Sequence, residues 1–172
     1  MKQQTLIAKY AVRFASQKND AQRFVDTLKI FVDLYENDKN FLLPMSEFYL
    51  QVQSYDRAFE SLKVFHDYFD VNEGSVPARL SALALAVGEP EDAEKFAVEA
   101  TTNEPSLELG WWSLLRARAG AGNFAGALEA LSALEDSFGH RLDAAKLRRD
   151  PYRAFGALVA SQEFKDWRAA RD

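Results

Sequence analysis

Few side chains in this sequence belong to the kinds that do chemistry, and their spacing argues against a reaction. The two histidines, His66 and His140, lie far apart and in no cluster with metal-ligand spacing. An imidazole works as a base or ligand only beside a partner that orients it. His66 falls near a helix end, where a histidine is favourable, and His140 in a turn after Gly139. Cysteine is absent, which excludes thiolate nucleophiles, thiolate metal sites and disulfides. Gly120-Ala121-Gly122 begins like a dinucleotide-binding fingerprint, but it follows a helical stretch and lacks the third glycine. It reads better as a helix stop. No serine sits in a nucleophile-elbow context. These residues predict no enzyme, no metal and no cofactor.

The charges point the same way. Glu91, Asp92 and Glu94 follow Pro90, and acids there favour the positive end of a helix dipole while the proline suits the first turn. The most basic run, Lys146-Leu147-Arg148-Arg149 with Arg153, stands beside Asp143 and Asp150 and reads as a solvated helix face. A net charge of −5 disfavours nucleic acid, whose binders neutralise phosphates with cations.

The elements that carry these residues are helices. Phe24, Leu28, Phe31, Val32 and Tyr35 recur at steps of three and four, as do Phe59, Leu62, Phe65 and Phe69, the spacing that lines one helix face. Turn signals fall between such stretches, at Lys18-Asn19-Asp20, Asn37 to Asn40, Asn72-Glu73-Gly74, Gly88-Glu89-Pro90, Asn103 to Ser106 and Gly120 to Asn123. The intervals suit antiparallel helix pairs, each helix about 12–16 residues long. Asp150-Pro151 looks like an N-cap with the first helical position behind it, and Gly122 or Asn123 plays the comparable role earlier.

One periodicity organises the pairs. Gly88-Glu89-Pro90-Glu91-Asp92-Ala93 is answered 34 residues later by Gly122-Asn123-Phe124-Ala125-Gly126-Ala127. A fixed period of this length marks a stacked repeat, in which each unit buries its apolar face on its neighbours. In the unit from Gly74, Leu80, Ser81, Ala84, Ala93, Ala97, Ala100 and Pro105 fall where the tetratricopeptide repeat (TPR) family favours large, small, bulky, small, aromatic, small and proline residues. In the unit from Glu108 the corresponding residues include Trp111, Leu114, Gly122, Phe124, Ala127 and Leu131. The unit from Lys39 supplies Leu42, Met45, Ser46, Tyr49, Tyr55, Ala58, Leu62 and Phe65. The chain therefore resembles the TPR family. Ala84 and Ala97 depart toward smaller side chains, Leu115 replaces a small residue, and Gly139 stands at the proline position.

The resemblance implies an all-α fold: a short right-handed α–α solenoid of antiparallel helix pairs closed by C-terminal capping helices. Residues 1–172 would form a single domain, with repeats at 39–73, 74–107 and 108–141, a divergent helix pair or N-terminal cap at 5–38, and a cap at 142–172. The string Asp150-Pro151-Tyr152, Phe155, Ser161, Phe164, Trp167 resembles tails seen after bacterial repeats of this kind. Small residues let paired backbones approach, and large ones fill the space that remains.

The resemblance also implies a groove lined by the first helix of each pair. Its residues would be Asn40, Leu43, Glu47, Leu50 and Gln51, then Ser75, Ala78, Ala82, Leu85 and Ala86, then Leu109, Trp112, Arg116, Ala119 and Gly120. Trp111 takes the core position, so Trp112 points about 100° away around the helix. It either stands exposed one turn from Arg116, a pairing suited to a binding hot spot, or packs under a neighbouring first helix or the cap. Some TPR proteins clamp acidic tails with Lys, Asn and Arg, but Ala78, Ala82, Leu109 and Ser113 occupy those places here. Arg79 and Arg116 remain able to receive a carboxylate, and a mixed apolar and basic peptide site fits the residues better.

The expected function is a protein-interaction scaffold that holds a peptide or helix of another protein through Trp112, Arg116, Arg79, Leu43, Glu47 and Leu109. The alternative is a self-associating assembly protein. The first 73 residues hold most of the aromatics, including Phe14, Phe24, Phe31, Phe41, Phe48, Phe59, Phe65 and Phe69. These either thicken the local core or form an exposed docking face. The expected state is a monomer or weak homodimer. The first twenty residues carry Lys9, Arg13 and Lys18 among short apolar pieces, unlike a signal peptide, and no stretch reaches the length of a membrane span. A cytoplasmic location, without membrane or nucleic-acid partners, is the expectation.

The repeat register makes a sharp stability prediction at Ala127, which it places between two close helices. Ala127→Asp buries an unpaired charge and should cost about 4 kcal/mol or more. A urea melt unchanged from wild type would place Ala127 on the surface and the register in error.

Overall fold

The computed structural model describes residues 39–51, 53–69, 73–150 and 154–171, all helices and turns with no strand among them. The chain divides into two compact units, Met1–Val71 and Asn72–Asp172. The divergent pair expected at 5–38 lies outside the described residues. No described helix is long and apolar enough to cross a membrane.

In the first unit, α1 (Lys39–Gln51) and α2 (Tyr55–Tyr68) pack as a pair through a tight turn in which Ser54 N–H reaches the carbonyl of Tyr49. Leu42, Ser46 and Tyr49 face inward from α1, at the three- and four-residue steps of a helix face. Ala58, Leu62 and Phe65 do the same on α2. Phe59, Phe65 and Phe69 are buried, so these rings thicken the core. Among the described residues of this unit the exposed aromatics are Tyr55 and Tyr68. Phe14, Phe24 and Phe31, and the side chains of Phe41 and Phe48, lie outside the described set.

The second unit holds two helix pairs. These are α3 (Ser75–Val87) with α4 (Pro90–Asn103) and α5 (Glu108–Gly120) with α6 (Phe124–Phe138). Both helices of the first pair also pack on α5, so α5 is the central element and buries residues around most of its circumference. The contacts are lined with small residues. Ala84, Ala93, Ala97, Ala100, Ala117, Ala127 and Ala130 are wholly buried, with Leu80, Leu115, Leu131 and Leu134 filling the space between them. Ala127 is thus in the core, where the register placed it.

Local chemistry sets the helix ends. Pro90 opens α4, where its missing N–H is not needed. Asn123 caps α6, its side-chain oxygen accepting the N–H of Gly126 at 3.1 Å. Gly122 ends α5 with a φ of 75°, a conformation a side chain rarely adopts. The glycine pair at 120–122 is therefore a helix stop.

Short helices follow: α7 (Ala144–Arg148), α8 (Gly156–Ala160) and α9 (Gln162–Ala169). The helix expected to begin at Asp150-Pro151 falls on residues outside the described set, and the next described helix starts at Gly156 with Phe155 before it. Helix α9 lies on α6. Trp167 Nε1 donates to Ser132 Oγ at 3.0 Å, and Arg168 donates to Glu135 Oε1 at 2.5 Å and to the carbonyl of Leu142. Arg171 reaches Asp136. Burial pushes the Glu135 carboxyl upward, but the bonds from Arg168 and the Leu142 N–H outweigh it and hold its pKa below the ordinary value.

Among the described glycines the tightest surroundings are at Gly74, where a Cβ would stand 2.7 Å from the Ala100 carbonyl oxygen and 2.9 Å from Glu104 Cβ. Gly74 has ordinary helical dihedrals, so alanine there meets a purely steric obstacle. Gly74→Ala should destabilise the protein by about 1–3 kcal/mol through overpacking, read from urea denaturation. An unaltered midpoint would show that the α3 and α4 ends separate without cost.

Candidate functional site

The exposed side of α5 carries the candidate site, because the alanine-lined contacts leave no room for its largest side chains. Trp111 and Trp112 are both half-buried, while Leu114 and Leu115 behind them are buried. The repeat pattern assigns Trp111 the core position. It lies instead at the core's edge, its indole N–H donating to the carbonyl of Pro105 at 2.9 Å. An indole N–H needs an acceptor when it leaves water, and the turn before α5 supplies one.

Trp112 has a more elaborate setting. Its Nε1 donates to Glu108 Oε1 at 2.9 Å, one helical turn back. His140 Nε2 lies 2.7 Å from the same oxygen, and the imidazole meets the Trp112 ring edge-on with centroids 5.8 Å apart. The Arg116 guanidinium stands 5.5 Å from the centre of the Trp112 ring. Arg116 is held in turn by Asp150, whose Oδ1 accepts from Nη2 at 3.1 Å and from Nε at 3.3 Å. Between the two placements the sequence left open for Trp112, the structure shows an intermediate one. The ring is flanked by the residues after α6, and it is not buried beneath them.

The electrostatics follow from these contacts. The Glu108 pKa is lowered from its ordinary value, first by the Trp112 hydrogen bond and then by that of His140, with burial opposing weakly. Asp150 is nearly buried, its side chain 5% exposed against 20% for Arg116. Arg116 is therefore an internally neutralised cation. The guanidinium stands against the indole and already bonds a carboxylate.

The other expected residues fall as follows. Leu109, beside Glu108, is 42% exposed. Arg79 is exposed on α3. Leu43 is half-buried and Glu47 exposed, four residues apart on α1 of the first unit. Leu109, Trp112 and Arg116 share α5, with Trp112 and Arg116 in contact. Two positions that the resemblance assigned to the groove are buried. Ala78 lies in the α3–α5 contact, where its carbonyl accepts from Ser113 Oγ at 3.2 Å, and Ala119 is also inside. Among the described residues no group of three or more His, Asp or Glu is placed to hold a metal ion.

Sequence reasoning missed three members of the site. The pairing of Glu108 with Trp112 at i and i+4 was open to view as a helix-face pair. His140 and Asp150 gave no such signal, since they approach only when the chain turns back after α6. Arg118 was also missed. It donates to Glu94 Oε1 at 3.0 Å, to the Gly126 carbonyl at 3.0 Å and to Glu129 at 3.1 Å, and so ties α5 to both α4 and α6.

No family model matches the sequence, and no curated protein does. Solved structures do. A crystal structure of MamA protein aligns with a TM-score of 0.63 at 19% identity, covering 99% of this chain and 88% of that one. YrrB, described as a TPR protein with an unusual peptide-binding site, aligns with a TM-score of 0.61 at 16% identity, covering 91% of this chain and 76% of its own. At such identities the likeness concerns the fold, and the fold is that of a TPR-like helical repeat.

The depressed pKa of Glu108 sets a sign for the pH response. A carboxylate with a lowered folded pKa contributes stability that is present above its unfolded value, here 4.5, and lost as pH falls through the folded value. The titration of Glu108, followed at the Trp112 indole N–H resonance, should have its midpoint below the ordinary carboxylate value. Glu108→Gln should abolish that titration. A midpoint at or above the ordinary value would remove the Glu108–Trp112 bond from solution.

Proposed function

Because the chain folds as a TPR-like helical repeat protein, we propose that it is a protein-interaction scaffold that holds a segment of a partner against the exposed side of α5. The carrying observation is the juxtaposition of Leu109, 42% exposed, with Trp112, an indole fixed by Glu108, His140 and Arg116. Large apolar side chains held in one conformation lose little entropy when a partner covers them, which favours them as anchors. Leu43 and Glu47 on α1 and Arg79 on α3 are proposed as further contacts within their own units, at positions the TPR resemblance assigns or adjoins. Peptide binding by YrrB, named in its description, is in keeping with this reading. The partner is a protein or peptide, with no cofactor and no reaction required.

The test is affinity capture from a lysate of the source organism on immobilised wild type and on Trp112→Ala, read by mass spectrometry. A partner retained by wild type should bind the variant more weakly by about 1–3 kcal/mol, the range of a hot-spot truncation, while the variant's thermal melt stays close to wild type. Equal retention by both proteins would move recognition off α5. A large loss of stability with unchanged binding would make Trp112 a packing residue only.

A further inference from the structure

The site on α5 has a charge pattern that selects its occupant, an inference that rests on the reading of this face as a binding surface. The Arg116 guanidinium stands over Trp112, yet its Nε and Nη2 both donate to Asp150 Oδ1, and Asp150 is nearly buried. A partner carboxylate that took Arg116 would compete with Asp150, a carboxylate that is nearly buried. Breaking such a pair by removing one member is strongly unfavourable. An acidic segment therefore gains little here.

Glu108 is the opposite case. Its side chain is 46% exposed. Its bonds to Trp112 Nε1 and His140 Nε2 both end on Oε1, which leaves Oε2 to accept from an incoming donor. Leu109 follows it in sequence and is exposed on the same turn of α5, and the Trp112 ring lies one turn onward. A carboxylate at the rim of an apolar contact is complementary to a lysine or arginine beside an apolar side chain, and like-charge approach is penalised at the same point.

We infer that the occupant of the α5 face is a peptide segment with an apolar anchor flanked by lysine or arginine, the anchor covering Leu109 and the edge of Trp112 while the cation bonds Glu108 Oε2. The ion pair would lie at the rim, where it supplies selectivity more than affinity. It is also salt-sensitive, as exposed pairs are.

The experiment is selection of a displayed random-peptide library on the full chain, repeated on Glu108→Gln and Trp112→Ala, with circular dichroism melts to establish that each variant folds. Wild type should enrich sequences with Lys or Arg within a few residues of an aromatic or aliphatic anchor. A synthetic peptide from that set should lose about two- to fivefold in affinity on Glu108→Gln, the size of an exposed ion pair, and lose that difference at high salt. Enrichment of Asp or Glu around the anchor, with binding still abolished by Trp112→Ala, would overturn the charge inference and leave the site standing. Peptides held equally by wild type and Trp112→Ala would overturn the site, and the inference with it. Failure to enrich any sequence would count against both.

Discussion

Close approach of helix backbones governs the second unit. Gly74 lies against the Ala100 carbonyl, and a row of wholly buried alanines lines the contacts of α3, α4, α5 and α6. Small side chains reduce the distance between helix axes, and shorter distances leave less volume for anything large. Leucines fill what volume there is. The indoles of α5 are too large for these contacts and come to rest at the margin. The exposed aromatic surface of this unit is thus a consequence of its alanine core: the same constraint that holds the helices together pushes tryptophan outward.

A tryptophan displaced in this way still has an N–H to satisfy and a face to cover, and the surrounding chain does both. Trp111 uses the turn before its helix, and Trp112 uses Glu108 from its own helix with His140 from the segment after α6. The C-terminal helices extend the same logic. Trp167 lies on α6 with its N–H on Ser132 and with Arg168 and Arg171 over its ring, while Glu135 accepts from the chain on both sides. Polar atoms close this end of the unit, with the Glu135 carboxylate bonded to Arg168. A repeat ending without such a closure would expose the apolar flank of α6.

Helix positions were legible in the sequence because the turns carry residues with local causes. Pro90, Asn123 and Gly122 act through their own backbones or the next turn, so their effect does not depend on distant partners. Burial of Ala127 was legible because register and small size agree. The site was legible only in its local half. Leu109, Trp112 and Arg116 share one helix and could be read from helical geometry, whereas the bond of Asp150 to Arg116 joins residues 34 apart and has no local signal. His140 lies in the turn after Gly139, as read, but its approach to Glu108 is equally non-local. Trp111 went astray because the repeat pattern assigns it a core position, while the packing that decides whether an indole fits belongs to neighbouring helices.

Misplacing one carboxylate changes the chemistry assigned to the whole face. With Arg116 free, α5 would present a cation beside an indole and invite acidic segments. With Asp150 on Arg116, the cation is bonded within the fold, and Glu108 is the more exposed of the two carboxylates around the indole. The distinction rests on desolvation: a nearly buried carboxylate keeps its counter-ion because no solvent stands ready to replace it, whereas a half-exposed carboxylate exchanges water for a partner at small cost. Counting charges along the helix gives the first answer, and weighing each by its burial gives the second. The sign of a binding surface is set by the charges left over after the fold has satisfied its own.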